Sequence, residues 1–422
     1  MTRETEANVL DVYRRVNPSA RPIETDAGLF QSLKATREDL FHHRLKLPLK
    51  LFKGASLLSL GAGTGEYEVF YALWGAQRMT CVEMNPVATH RLQMLFNHFD
   101  VAPALERVHT NSYFDVDLHG AKYDFVITDG TIVHTDEPKE AISRFAPHVA
   151  EGGFLVVGAQ EIFGGIQRNL QRFILYQLGG ADEAKIIEYA RMLFGVHIQR
   201  SVKFGNRSEE AIIYDSYVNP KINSLSLQTV FEVFEEHQLV YYSSYPSLGP
   251  SALTNSFRGP LTQIQQTLMH PLMLPYQIAW MLSDGPDEEL VSGYFLEWQR
   301  GLEAMSRFAS QLNNVSPANA DLDLLAAAQL SLGDFLATDF LGPERRFYGQ
   351  RLAEFHNDMT LLLKLLRSKQ VDATMVSMFK RLFRGSCGVG HMYITGSRTA
   401  IQGSRGANSL EQEDDATKTA QR

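Results

Sequence analysis

The stretch "LLSLGAGTGEYEVF", Leu57 to Phe70, joins a short apolar run to three alternating glycines and then to apolar residues at helical spacing. The apolar half, beginning at Ala55, has no helical period and stops at the glycines, which reads as a buried parallel strand. Gly61, Gly63 and Gly65 supply backbone freedom without side-chain bulk, so a ligand can approach the main chain closely. After them Glu66, Tyr67, Val69, Phe70, Leu73 and Trp74 predict the first turns of a helix with one apolar face. Strand, glycine turn and helix make the first half of a nucleotide-binding unit. A dinucleotide fingerprint, G-x-G-x-x-G, needs its third glycine where this chain has Glu66. A carboxylate there is a poor neighbour for a diphosphate and suits a ligand with an amino group and a sulfonium charge.

Two further strand ends point to the same cleft. "MTCV", Met79 to Val82, is a second short strand, and Glu83 follows it 18 positions after Gly65, where nucleotide-binding α/β domains place an acid that accepts hydrogen bonds from ribose hydroxyls. In "KYDFVITDGTIVH" the segment Tyr123 to Thr128 is strand-like and Asp129 and Gly130 break it. Open α/β sheets bind ligands at the carboxyl ends of their strands.

"LLSLGAGTGE", "CVEMNP", "YDFVITDGTIVHTDEPKEAISRF" and "VAEGGFLVVG" follow one another as the successive motifs of the class I S-adenosylmethionine-dependent methyltransferases do, and the resemblance spans roughly Leu51 to Gly158. It implies a Rossmann-like, doubly wound α/β sheet with S-adenosyl-L-methionine as cofactor. Gly61, Ala62, Gly63, Gly65 and Glu66 would then pass under the methionine part, and Glu83 and Met84 would lie at the ribose. Where the family often has an Asp for the adenine amino group, this chain offers Asn111 and Ser112 in "HTNSYFD"; an Asn carbonyl accepts the same hydrogen bond without charge. A looser likeness, carried by Asp215, Tyr217 and Asn219 in "AIIYDSYVNP", connects the chain to bacterial members with a glycine-bearing helical insertion.

Methyl transfer from a sulfonium needs nucleophile and methyl held in line about 3 Å apart, and a hydroxyl acceptor also needs a base. Asp129, His134 and Asp136 in "TDGTIVHTDEP" are placed for this work. His134 titrates nearest neutral pH and is the candidate base, the competing role being a cap on the following helix; Asp129 orients cofactor or acceptor. The absence of an N-P-P-Y-like tetrad argues against methylation of a base or amide nitrogen. The expected enzyme methylates a small or medium-sized acceptor at oxygen. A non-catalytic S-adenosylmethionine-binding assembly partner, an RNA methyltransferase and a nicotinamide-dependent reductase stand as alternatives.

The chain has 422 residues, more than one core usually organises, so two units are expected. With 44% hydrophobic and 21% charged residues it has an ordinary globular composition. The start, "MTRETEANVL", and the lack of an 18-residue apolar run predict a cytoplasmic chain with no membrane span. Two cysteines exclude a thiolate zinc site, and Cys81 reads as a core residue. The net charge of −8 argues against nucleic acid as a partner. The adjacent His42 and His43 point apart on any regular element, so no metal site is expected there.

Residues 1–50 read as a helical lead-in broken at "NPSARPIE", and residues 51–250 as the methyltransferase domain. A helical insertion at 161–195 splits at Gly179 and Gly180 and serves either as a substrate lid or as packing, including a homodimer contact. "AIIYDSYVNP" reads as a strand, and "TVFEVFEEHQLVYYSSYP" as a helix and a strand. Residues 261–385 form an all-α region, 386–402 a glycine-rich loop and strand, and 403–422 a disordered tail.

Overall fold

The computed structural model describes residues 3–245, 295–337, 345–368 and 390–399. The expected helices before residue 295, Cys387 and the 403–422 tail lie outside the described residues.

The apolar run before the glycines is strand β1 (Ser56–Leu60), with every residue buried. The chain reaches it through helices α1 (Arg3–Val16) and α2 (Ala27–Glu38), the latter running into a π-helical turn, Asp39–Arg44. In that turn the rings of His42 and His43 meet edge to face at 4.6 Å rather than pointing apart. Helix α3 (Glu66–Leu73), strand β2 (Arg78–Val82) and helix α4 (Pro86–His98) follow. Asn85 caps α4 by accepting the Val87 N–H at 3.0 Å, and Pro86 suits its first turn. Next come β3 (Leu105–His109), β4 (Tyr123–Asp129), α5 (Pro138–Phe145) and β5 (Val149–Gln160). The five strands are parallel, in the order β3-β2-β1-β4-β5.

Alternation along the strands gives the sheet two covered faces. Leu57 packs with Val69, Phe70 and Leu92 of α3 and α4, whereas Leu58 and Leu60 pack with Ile142 and Phe145 of α5. Strand order reverses between β1 and β4, and an open α/β sheet forms its crevice at that point.

Past β5 the chain leaves for a helical body: α6 (Ile166–Gly179), α7 (Glu183–Gly205) and α8 (Glu209–Ile213). "AIIYDSYVNP", expected as a strand, is α8 continued by a π-helical turn, Tyr214–Val218. The local signals outweigh the β-branched run: Ser208 caps the helix by accepting the Ala211 N–H at 3.1 Å, and Glu209 and Glu210 occupy the first turn. Helix α9 (Leu227–Glu236) and strand β6 (Val240–Tyr245) return to the sheet.

Three more helices, α10 (Phe295–Leu312), α11 (Leu322–Ala337) and α12 (Arg345–Ser368), pack on the insertion rather than apart from it. Leu170 and Phe173 of α6 share one core with Phe308, Leu332 and Phe355. Strand β7 (His391–Ser397) then enters the sheet between β5 and β6, antiparallel to both, with Ile394 opposite Val157. The glycine-rich stretch near the end of the chain thus delivers an internal strand. Its partner, β6, ends at Tyr245, so no local pattern announces the pairing.

Candidate functional site

At the carboxyl ends of β1, β2 and β4 lies a cavity of about 820 Å³. The glycine turn forms one wall. Gly61 donates to the Val82 carbonyl at 2.7 Å and has φ +68°, and a Cβ there would meet the Tyr113 hydroxyl and Thr131. Gly63, φ +54°, has only Ser19 within 4 Å of such a Cβ and lines the cavity with Ala62. Gly65 is not a lining residue: it packs on Leu92 of α4.

Glu83 projects from the tip of β2. One carboxylate oxygen accepts the Gly63 N–H at 3.0 Å and the other the Asn85 N–H at 2.8 Å. Burial pushes its pKa up, and these backbone donors oppose the shift. Each oxygen keeps a second lone pair for an incoming hydroxyl. Met84, Asn111 and Ser112 line the same wall, and the Ser112 hydroxyl donates to Glu6 of α1.

Glu66, expected to offer its charge to a ligand, lines the cavity but is held by protein donors. It accepts the Arg21 N–H at 2.8 Å and the Thr64 hydroxyl, and Arg91 stands at 3.5 Å. Glu68, one turn along α3, is the carboxyl that sequence reasoning missed. Burial pushes its pKa up to about 7, against a 2.7 Å hydrogen bond from Ser59.

Asp129 ends β4 as a junction. Arg37 of α2, 3% exposed, pairs with it at 2.6 Å and lies over the Tyr67 ring at 4.3 Å. Burial alone would raise the Asp129 pKa; Arg37 and His391 overcome it and hold the carboxyl well below its usual range. His391 Nε2 donates to Asp129 at 3.2 Å and the Tyr393 hydroxyl donates at 3.2 Å, and both β7 side chains line the cavity. Sequence reasoning anticipates neither Tyr393 nor Arg37, and it weighs His391 only as a nonspecific pair with Cys387, not placed in this site. The alternation of "HMYIT" marks a strand, but nothing in it places that strand beside β5.

His134 also lines the cavity, within a short 3-10 turn. It is not the cap of α5, which has Glu137 at that position. Nδ1 donates to the Lys221 carbonyl at 2.8 Å, so in the neutral ring Nε2 carries the lone pair and faces the Tyr13 hydroxyl of α1 at 3.1 Å. Burial lowers the His134 pKa, and the nearby Asp215 works against that. Asp215 accepts from Tyr13 at 2.9 Å and from Arg207 at 2.8 Å; despite burial, Arg207 and His134 hold it at about 2. Asn219 Nδ2 lies 3.1 Å from His134, whereas the Tyr217 hydroxyl points into the helical body and donates to Gln171. Asp136 is turned away from the cavity and pairs with Lys221 at 2.6 Å.

Among the described residues, no helix is long and apolar enough to cross a membrane, and no group of three or more His, Cys, Asp or Glu is arranged to hold a metal.

Residues 33–178 match a family profile described as "Methyltransferase domain". No curated protein sequence matches the chain. Among solved structures, the [4+2]-cyclase SpnF is 16% identical over 30% of this chain and 44% of its own, with a TM-score of 0.26. The N-methyltransferase NodS from Bradyrhizobium japonicum, in complex with S-adenosyl-L-homocysteine, is 16% identical over 36% of this chain and 74% of its own, with a TM-score of 0.30. Magnesium protoporphyrin IX methyltransferase from Synechocystis, with bound S-adenosylmethionine, is 15% identical over 36% and 75%, with a TM-score of 0.29. The chain spans about half the length, or less, of SpnF. Over residues 33–178 the chain carries a methyltransferase domain.

Proposed function

We propose that the protein methylates a small or medium-sized acceptor at oxygen, using S-adenosylmethionine. The observation that carries this reading is the convergence, in one cavity, of a side-chain-free glycine turn, the Glu83 carboxylate and two histidines. The cofactor fits the residues present: a Cβ at Gly63 would occupy open space along the turn, and Glu83 keeps acceptor capacity for ribose hydroxyls. Gly61, Ala62 and Gly63 would hold the methionine part, Glu83 and Met84 the ribose, and Asn111 or Ser112 the adenine. When bound, the cofactor supplies a methyl group already activated by positive charge.

The chain's own residues supply position and a proton acceptor. His391 suits the base role better than His134. Its Nε2–H is committed to Asp129, which leaves Nδ1 as the basic nitrogen of a ring 33% exposed in the cavity. The bond to Asp129 fixes the ring's orientation and tautomer, as a positioned base requires. His134 has its basic nitrogen covered by Tyr13.

Calorimetric titration with S-adenosylmethionine, S-adenosylhomocysteine and NADH tests the cofactor assignment. Micromolar binding of the first two without NADH is the expected result; binding of neither defeats the reading. With an acceptor in hand, His391→Asn should slow turnover by about 10²–10³-fold at unchanged S-adenosylhomocysteine affinity. Equal slowing by His134→Asn alone would return the base role to His134.

A further inference from the structure

Helix α6 carries features that each cost stability unless a negative charge sits beside it. Its first turn contains Arg168 and no acidic residue, so a guanidinium stands at the positive end of the helix dipole. Arg172 follows four positions later, where like charges repel. Among the described residues, neither arginine forms an ion pair. Arg168 Nη1 donates to the Ser216 hydroxyl, Arg172 donates to the carbonyls of Ser216 and Val315 at 3.2 and 3.3 Å, and both Nε atoms are buried without an acceptor. Arg172 is fully buried. Asp215, the carboxylate nearby, is already engaged by Arg207 and Tyr13. The positive field reaches His197, which burial and then Arg200 and Arg168 hold down to about 4.

Each guanidinium lies over a tyrosine ring, Arg168 over Tyr217 at 5.5 Å and Arg172 over Tyr176 at 5.1 Å, yet a guanidinium pair inside a protein with no carboxylate partner is costly, and the natural partner is a ligand with the opposite charge. Of the two, Arg168 lines the cavity, alongside Gln160 and His134. We propose that Arg168 recognises an anionic group, a carboxylate or a phosphate, on the methyl acceptor. Arg172 lies behind it and strengthens the field without touching the ligand. The proposal rests on the methyltransferase reading and narrows it from any small acceptor to an acidic one. A guanidinium offers two parallel N–H donors to either oxyanion, so its geometry suits both.

The test uses the full chain saturated with S-adenosylhomocysteine, titrated separately with inorganic phosphate, benzoate and uncharged benzamide. Wild type should bind at least one anion saturably and benzamide about tenfold more weakly or worse, and Arg168→Gln should lose about tenfold or more in anion affinity. Arg168→Lys should retain part of that affinity, and cofactor affinity should change less than about twofold in either variant. Phosphate without benzoate would assign a phosphorylated acceptor, and the reverse a carboxylate. A second readout needs no ligand: in anion-free buffer the thermal midpoint of Arg168→Gln should equal or exceed that of wild type, because the substitution removes an unpaired charge. Absence of saturable anion binding by wild type, full binding by Arg168→Gln, or a variant that is less stable or unfolded without ligand would overturn the proposal. S-adenosylhomocysteine binding without anion binding would sink this inference alone. Anion binding lost in Arg168→Gln, without cofactor binding, would sink the methyltransferase reading and leave an anion site.

Discussion

The wall of the cavity built from β1, β2 and α3 presents carboxyl groups, Glu66, Glu68 and Glu83, whereas a second wall presents Arg168 of α6, Arg207 just before α8 and His134 of the turn after β4, with Asp215 paired to Arg207. The first wall is continuous backbone with side chains fixed at strand ends. The second is assembled from side chains of separate segments and closed by Tyr13 of α1. A wall of the first kind suits a ligand of constant chemistry carrying positive charge. One of the second kind can vary with its helices, and under the proposal above it would select the charge of the acceptor. Apart from both walls, Asp129 ties α2 to β4 and β7.

The largest expected effect comes from cutting that tie. Asp129→Ala leaves Arg37 buried without its partner, and chemical denaturation should record a loss of about 3–5 kcal/mol. The double variant Arg37→Met, Asp129→Asn should recover much of it, since the buried charge is gone. A loss below about 1 kcal/mol in the single variant would mean that water reaches Arg37.

The next effect separates carboxyls that look alike in sequence. Glu68 titrates at about 7 in the folded protein against an ordinary 4.5. The folded state therefore holds the proton more tightly than the unfolded chain. The stability this contributes is complete below pH 4.5 and lost as pH rises through 7, amounting to about 3 kcal/mol in all. Glu68→Gln should flatten that fall. Glu161, pushed up to about 8, adds a similar slope that persists in the variant. If Glu68→Gln leaves the pH profile of stability unchanged, the carboxylate wall is uniformly ionised and its charge contrast with α6 is the larger for it.

The legibility of the two walls follows from how they are built. Strand, glycine turn, helix and the acid after β2 lie in one continuous segment, so spacing alone located Gly61, Gly63 and Glu83, and the sheet was readable from its apolar strands. Arg37 looks like any basic residue on an amphipathic helix; what distinguishes it is the ring of Tyr67, Tyr71 and Phe41 that folding closes around it. His391 depends on β7 inserting beside β5. Asp136, two residues from His134, shows the opposite failure, because the 3-10 turn at His134 sends the neighbouring carboxylate to Lys221 instead of the cavity. Sequence proximity to a strand end marks where a site lies, and side-chain direction within it waits on tertiary packing.

On the carboxylate wall, Glu83→Ala should weaken S-adenosylhomocysteine binding by about 1.5–3 kcal/mol, the range for a hydrogen bond to a charged group, and should also lower stability because the Gly63 and Asn85 N–H groups lose their acceptor. Gly63→Val fills the open side of the turn and should abolish binding measured by calorimetry. Unchanged affinity in both variants would move the cofactor off this wall.

Tyr13→Phe is the smallest change and the finest test of the division. The ring keeps its place against His134, with centroids at 5.7 Å, and the Tyr13 carbonyl still accepts from the Asn85 side chain. Only the hydroxyl is lost. Asp215 retains Arg207 and His134 retains the Lys221 carbonyl, so the one hydrogen bond the hydroxyl donates is lost from a carboxylate that keeps another. Chemical denaturation should register about 1 kcal/mol. Because that hydroxyl faces His134 and Asp215, S-adenosylhomocysteine affinity should stay within about twofold of wild type. A tenfold drop would place the Tyr13 hydroxyl on the cofactor side, and the boundary between the walls would then run between Tyr13 and His134 instead of between Glu83 and Tyr13.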